Sequence, residues 1–260
     1  MSRHRIDALL AERGLAPSRT SAAESVRAGR VRIGTDGPLA LKPSQLVAAD
    51  AELLLTDSPS FVSRGGVKLA NALDALAIDV TGLDCLDVGA STGGFTDCLL
   101  QRGAASVIAL DVAHEQLDWR LRNDPRVTVI ERRNAREVDP AELPFRPALA
   151  AIYVSFISLA KILPAVAGCL AEDGQVLAMV KPQFELGRGR VKGGVVRDPA
   201  ERREALRSIV RAATDAGLAV LGFASSGLPG PKGNRETFLH AAPGREPVAD
   251  VETAIAEVDA

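Results

Sequence analysis

Two rhythms of apolar residues divide the chain. Up to about residue 58 apolar positions are sparse: Ile6, Leu9 and Leu10 recur at helical spacing across Arg5 to Arg13, and Gly14 follows as a stop. Ser18 stands where an N-cap belongs, ahead of a second helical stretch from Thr20 to Ala28 that Gly29 closes. Arg30-Val31-Arg32-Ile33 then alternates polar and apolar before the turn residues Gly34 to Gly37, and Ala51 to Leu55 forms another extended run. The pattern predicts helix, helix, strand and hairpin, ending at TDSPS (56–60), whose Asp, Ser and Pro read as a linker.

Beyond the linker, short and nearly continuous apolar runs alternate with helical patterns. Strands are expected at Asp84–Val88, Ser106–Leu110, Val127–Ile130, Leu149–Val154, Gln175–Val180 and Leu218–Phe223. Helices are expected at Val67–Leu76, Phe95–Gln101, Leu159–Leu170 and Ala200–Ala216, and Glu236–His240 as an added edge element. Such alternation predicts an α/β domain with a parallel sheet covered on both faces. There is neither an internal repeat nor a low-complexity segment.

The chemistry is densest where the first of these strands runs into a glycine turn. Asp87-Val88-Gly89-Ala90-Ser91-Thr92-Gly93-Gly94-Phe95 is a strand, a turn that lets backbone approach a ligand, and the start of a helix. Its G-x-x-x-G-G spacing lacks the G-x-G-x-x-G register that seats a dinucleotide pyrophosphate, which favours S-adenosylmethionine. Asp111, followed by Val112, ends the next strand about 20 residues after Gly89, where an acid accepts hydrogen bonds from ribose hydroxyls. Asp87, Gly89, Ala90, Ser91, Thr92, Gly93, Gly94, Phe95, Asp111 and Val112 form the expected cofactor site.

Composition narrows the picture without changing it. With 47% apolar and 25% charged residues over 260 positions, the chain is neither disordered nor fibrous. The net charge of −2 is unevenly spread. Residues 1 to 32 hold seven arginines against three acids, and the stretch after Pro243 is an acidic tail. Cys85, Cys98 and Cys169 lack C-x-x-C spacing and are expected as buried thiols; no metal site is expected. The opening MSRHRIDALLAERG has no apolar core of a signal peptide or membrane span, so the expected location is the cytoplasm.

Several stretches carry a resemblance: VSRGGVKL (62–69), LDVGASTGGFTDCLLQRGA (86–104), QLDWRLRNDPRV (116–127), SFISL (155–159), MVKPQFELGRGRVKGGVVRDP (179–199) and LPGPKGNRETFL (228–239). On these the chain resembles the TlyA family, hemolysin-named bacterial enzymes that methylate ribosomal RNA on ribose 2′-hydroxyls. The resemblance implies a Rossmann-like class I methyltransferase domain over residues 58–242. It also implies an S-four-type RNA-binding domain over 1–57, whose arginines would neutralise RNA phosphates. Ribosomal RNA is the partner so implied.

The resemblance further implies a catalytic Lys, Asp, Lys, Glu tetrad, which falls on Lys68, Tyr153, Lys181 and Glu236. Tyr153 occupies the position of the acid. A ribose hydroxyl is a weak acid that needs a base or cations beside it, and Lys181, ending an apolar strand before Pro182, is the natural contact. Tyrosine supplies no permanent charge, but its phenol can hydrogen-bond and its ring can attract a cation such as the sulfonium of S-adenosylmethionine. A second reading therefore stays open: a small-molecule enzyme with the same cofactor site, methylating a metabolite or cyclising S-adenosylmethionine to azetidine-2-carboxylate and methylthioadenosine. A third is a non-catalytic RNA-binding factor. Gly187 to Gly194, with Arg188, Arg190 and Lys192, reads as a mobile basic loop.

Overall fold

A computed structural model gives the protein's structure for residues 3–27, 29–35, 37–55, 61–187, 189–230 and 232–259, with backbone alone at Lys192. It separates into two compact units, Met1–Val67 and Lys68–Ala260. The linker expected at 56–60 lies outside the described residues.

In the first unit β1 (Arg3–Arg5) leads into α1 (Ile6–Glu12) and α2 (Arg19–Arg27), followed by β2 (Val31–Ile33), β3 (Leu46–Ala48) and β4 (Leu53–Leu55). β1 pairs antiparallel with β3, and β2 with β4. Gly14 takes the left-handed conformation after α1, and the Ser18 hydroxyl accepts the Ser21 N–H at 3.1 Å, so the expected stop and cap are both present. Ile6, Leu10, Val26 and Val31 are buried in a small core of this unit. β1 and β3 were not expected, because Arg3-His4-Arg5 has no apolar residue and Leu46-Val47-Ala48 no polar one, so neither alternates.

The second unit begins within α3 (Arg64–Ala75). There follow β5 (Asp84–Val88), α4 (Gly94–Gln101), β6 (Ser106–Leu110), α5 (Trp119–Arg122), β7 (Val127–Ile130), β8 (Leu149–Ile152) and α6 (Leu163–Cys169). The chain continues through β9 (Gln175–Val180), α7 (Pro182–Glu185), α8 (Pro199–Asp215), β10 (Leu218–Ser225), β11 (Thr237–Pro243) and α9 (Val251–Val258). Seven strands form one sheet in the order β10-β11-β9-β8-β5-β6-β7, parallel except for β11, which is antiparallel to both neighbours. The path runs outward from β5 through β6 and β7 on one side and through β8 and β9 on the other. β5 and β8 therefore flank a topological switch point, where open α/β sheets bind ligands at the strands' carboxyl ends. This is the Rossmann-like arrangement expected from the sequence.

Two expectations are corrected. The run at 236–240 is not an edge: β11 lies between β9 and β10, and all its residues but the last are buried. An interior position suits so apolar a strand, while β10, with its mixed burial, forms the edge. The acidic stretch after Pro243 is not a plain tail either. Asp250 caps α9 by accepting the Thr253 N–H at 3.0 Å, Ile255 joins the main core, and the exposed Glu252 pairs with Arg207. Cys85, Cys98 and Cys169 are buried free thiols.

Candidate active site

The Gly89–Gly93 turn crosses the carboxyl end of β5. Gly89 has φ +84°, and a Cβ there would lie 2.7 Å from the Tyr153 carbonyl oxygen, so glycine is required on both counts. At Gly93, φ +94°, a Cβ would strike Leu117 and Leu121. Asp111, at the end of β6, accepts the Ser91 N–H at 2.7 Å with one carboxylate oxygen and the Ala113 N–H at 2.7 Å with the other. The turn and the acid are thus locked together. The small cleft beside them is walled by Ala109, Leu117 and Val129 with Ser91, Asp111 and Gln116 at its rim, and Val112 stands exposed next to it. The cleft holds only about 10 Å³, so it is no preformed purine pocket; what fits S-adenosylmethionine is an acid at the carboxyl end of the strand next to the glycine turn, where a ribose diol would bind.

Not every residue of the motif faces this cleft. Asp87 is fully buried and turned into α4, where it accepts the Thr96 N–H at 2.9 Å and the Thr96 hydroxyl at 2.7 Å. Burial pushes its carboxyl up to about 7, against those two bonds. Phe95 is also buried; its ring stacks on Tyr153 with centroids 5.1 Å apart and on Phe238 at 5.9 Å. Asp87 and Phe95 therefore hold the turn and Tyr153 in place rather than offering an open face to a cofactor.

Tyr153, Lys68, Lys181 and Glu236 come together beyond β8 and β9. Lys68 on α3 and Glu236, just before β11, are 2% and 3% exposed and form a direct ion pair. Lys181 follows β9 and is 6% exposed. Its ammonium lies 4.0 Å from the Tyr153 ring centroid and donates to the Ser155 hydroxyl at 2.7 Å, while Lys68 lies 5.6 Å from the same ring. Burial draws Lys181 down to about 8; Lys68 adds to this, and Glu236 opposes it. An amine brought down to about 8 can, when neutral, take the proton of a hydroxyl and, once protonated, stabilise the negative charge left on the oxygen.

Lys181, Tyr153 and Glu236 face an open pocket of about 1050 Å³. Gly187, Gly189 and Gly194 line it, so the expected basic loop borders the site. Arg188 and the Lys192 side chain lie outside the described residues, and Arg190 is tied to Glu204 on α8 at 2.8 Å. Among the lining residues with no role expected from the sequence are Ser155, Glu185, and the aromatics Phe156 and Phe184, whose rings are 5.2 Å apart. Phe156 is 90% exposed with φ +65°. Positive φ is costly for a bulky residue and marks a site under constraint.

Comparison with known proteins follows the same lines. Residues 61–242 match the FtsJ-like methyltransferase family. The chain is 52% identical over 240 residues to the 16S/23S rRNA (cytidine-2′-O)-methyltransferase TlyA of Mycobacterium tuberculosis, covering 91% of this chain and 89% of that one. A structure described as a hemolysin from Streptococcus thermophilus superposes with a TM-score of 0.76 at 41% identity, over 100% of this chain and 95% of that one. Another, from Lactococcus lactis, gives 0.73 at 41% identity, over 77% and 99%. With its sheet order, its glycine turn and a match over most of its length, this chain belongs to the FtsJ-like methyltransferase family.

Proposed function

We propose that this protein methylates ribose 2′-hydroxyls of ribosomal RNA in the cytoplasm. The observation that carries the reading is Lys181: a buried amine, brought down to about 8, at the head of a large open pocket beside the glycine turn. S-adenosylmethionine, the cofactor, supplies an electrophilic methyl group on its sulfonium. Lys181 would take the proton of the ribose hydroxyl and so ready the 2′-oxygen for the methyl group that the cofactor would supply. The Lys68–Glu236 pair keeps the surrounding charge balanced, and Asp111 holds the ribose of the cofactor. The named activity of the M. tuberculosis relative supports the same substrate.

The N-terminal unit suits an S-four-type RNA-binding domain. Arg3 and Arg27 are exposed there, whereas Arg5 is bonded to Asp7 and Arg13 to the Ala49 and Ala51 carbonyls. The family match starting at residue 61 supports placing the RNA-binding segment before it and the catalytic one after. A sulfonium-gripping, small-molecule role for Tyr153 gains no support, because Phe95 and Lys181 already lie against its ring. The test is RNA-dependent formation of S-adenosylhomocysteine by the full chain on unmodified ribosomal RNA. Turnover that ignores RNA would defeat the reading.

A further inference from the structure

Glu236, whose charge acts on Lys181, does not hold it by a hydrogen bond. Glu236 is committed to Lys68, and the bond that Lys181 makes is to a neutral hydroxyl, that of Ser155. The sheet explains why this serine is within reach. β8 and β9 run parallel with Ile152 opposite Ala178, and carrying that register three residues past the ladder sets Ser155 opposite Lys181. Directly after Ser155 the chain turns sharply through Phe156 at φ +65°. The same two segments are joined again farther on. Glu185 accepts the Ser158 hydroxyl at 2.5 Å and the Leu159 N–H at 3.1 Å. Segments 155–159 and 181–185 are thus fastened at both ends, by Ser155 to Lys181 and by Ser158 to Glu185.

We propose that Ser155 is the positioning residue of this site: its hydroxyl pins the Lys181 amine against the Tyr153 ring and so sets where the amine meets the substrate oxygen. Lys181 is largely buried, but apart from Ser155 its ammonium meets, among the described residues, only the faces of Tyr153 and Phe184, which do not fix its direction, and displacement of a reacting group by an ångström is enough to lower a rate by about a hundredfold. Ser155 is exposed, so replacing it leaves no cavity in the core. Its function is therefore separable from folding.

The inference rests on the methyltransferase reading only for its kinetic consequence, and its test includes a measurement that needs no RNA. In the full-length protein, the Lys181 ε-methylene protons are followed by NMR, assigned through Lys181→Met, in wild type, Ser155→Ala and Ser155→Thr. Wild type and Ser155→Thr should show the upfield shift imposed by the Tyr153 ring, and Ser155→Ala should lose it. With ribosomal RNA, Ser155→Ala should lower kcat about tenfold or more at unchanged KM for S-adenosylmethionine, and Ser155→Thr should restore most of it. An unchanged ring shift in Ser155→Ala would overturn the proposal whether or not RNA is methylated. Retention of the ring shift together with full activity would do so twice over. Absence of wild-type activity beside a lost shift in Ser155→Ala would sink the RNA reading and leave the positioning role standing.

Discussion

The Lys181 ammonium nitrogen lies 4.0 Å from the centroid of the Tyr153 ring, whose plane is nearly parallel to that of Phe95, 16° away. A cation over a desolvated ring is attracted by about 2 kcal/mol. The ring thus offsets part of the cost of burying the amine without fixing its charge, as a carboxylate would. Tyr153→Ala removes that surface and should lower kcat about tenfold, while Tyr153→Phe keeps it and should lose less. Equal losses in steady-state assays of the two variants would refute a role for the ring itself.

Because Lys181 titrates near 8, activity should depend steeply on pH. Below that value the amine is protonated and has no lone pair to take the ribose proton; above it the neutral form dominates. The kcat for RNA should rise about tenfold per unit on the acid side and level off above about pH 8. Lys181→Met should lose roughly a hundredfold or more with S-adenosylmethionine affinity intact. A flat profile from pH-controlled single-turnover assays would show that Lys181 does not act as base.

Lys68 and Glu236 are each nearly excluded from solvent, so either one alone is an uncompensated buried charge. Glu236→Gln and Lys68→Met should each destabilise the catalytic unit by roughly 3–5 kcal/mol, and the double variant by less than the sum. Urea unfolding midpoints measure this. Additive losses would mean that the two groups do not depend on each other.

Asp87 has the opposite pH signature. Its folded carboxyl holds a proton up to about 7, whereas the unfolded one releases it near 3.8. Its contribution is fully present below the unfolded value and is lost as pH rises through the folded one. Asp87→Asn mimics the protonated form, so wild type should lose more melting temperature than the variant between about pH 5 and about pH 8. Parallel melting curves would contradict the buried, raised carboxyl.

How much of this was legible in the sequence follows from what each feature depends on. The parallel strands could be read because β6, β8 and β9 are apolar nearly throughout, and the Gly89 turn because close backbone contact demands glycine. β11 was misplaced because an apolar run carries no sign of which strands flank it. α9 was masked by the acids on its exposed face, though Ile255 anchors it. Lys68, Lys181 and Glu236 were singled out by family-like motifs, and the structure brings them together. Ser155 was not, since its bond to Lys181 spans 26 residues and exists only through the register of two strands. A motif gives positions but not side-chain direction, so the burial of Asp87 and Phe95 was not legible from it.

The central claim is tested most directly by incubating the full chain with S-adenosylmethionine and unmodified ribosomal RNA, then measuring the nucleoside product and ribose methylation by mass spectrometry. S-adenosylhomocysteine should be matched one for one by 2′-O-methylated ribose, with both absent in Lys181→Met. Methylthioadenosine formed without RNA, or S-adenosylhomocysteine without ribose methylation, would contradict that claim.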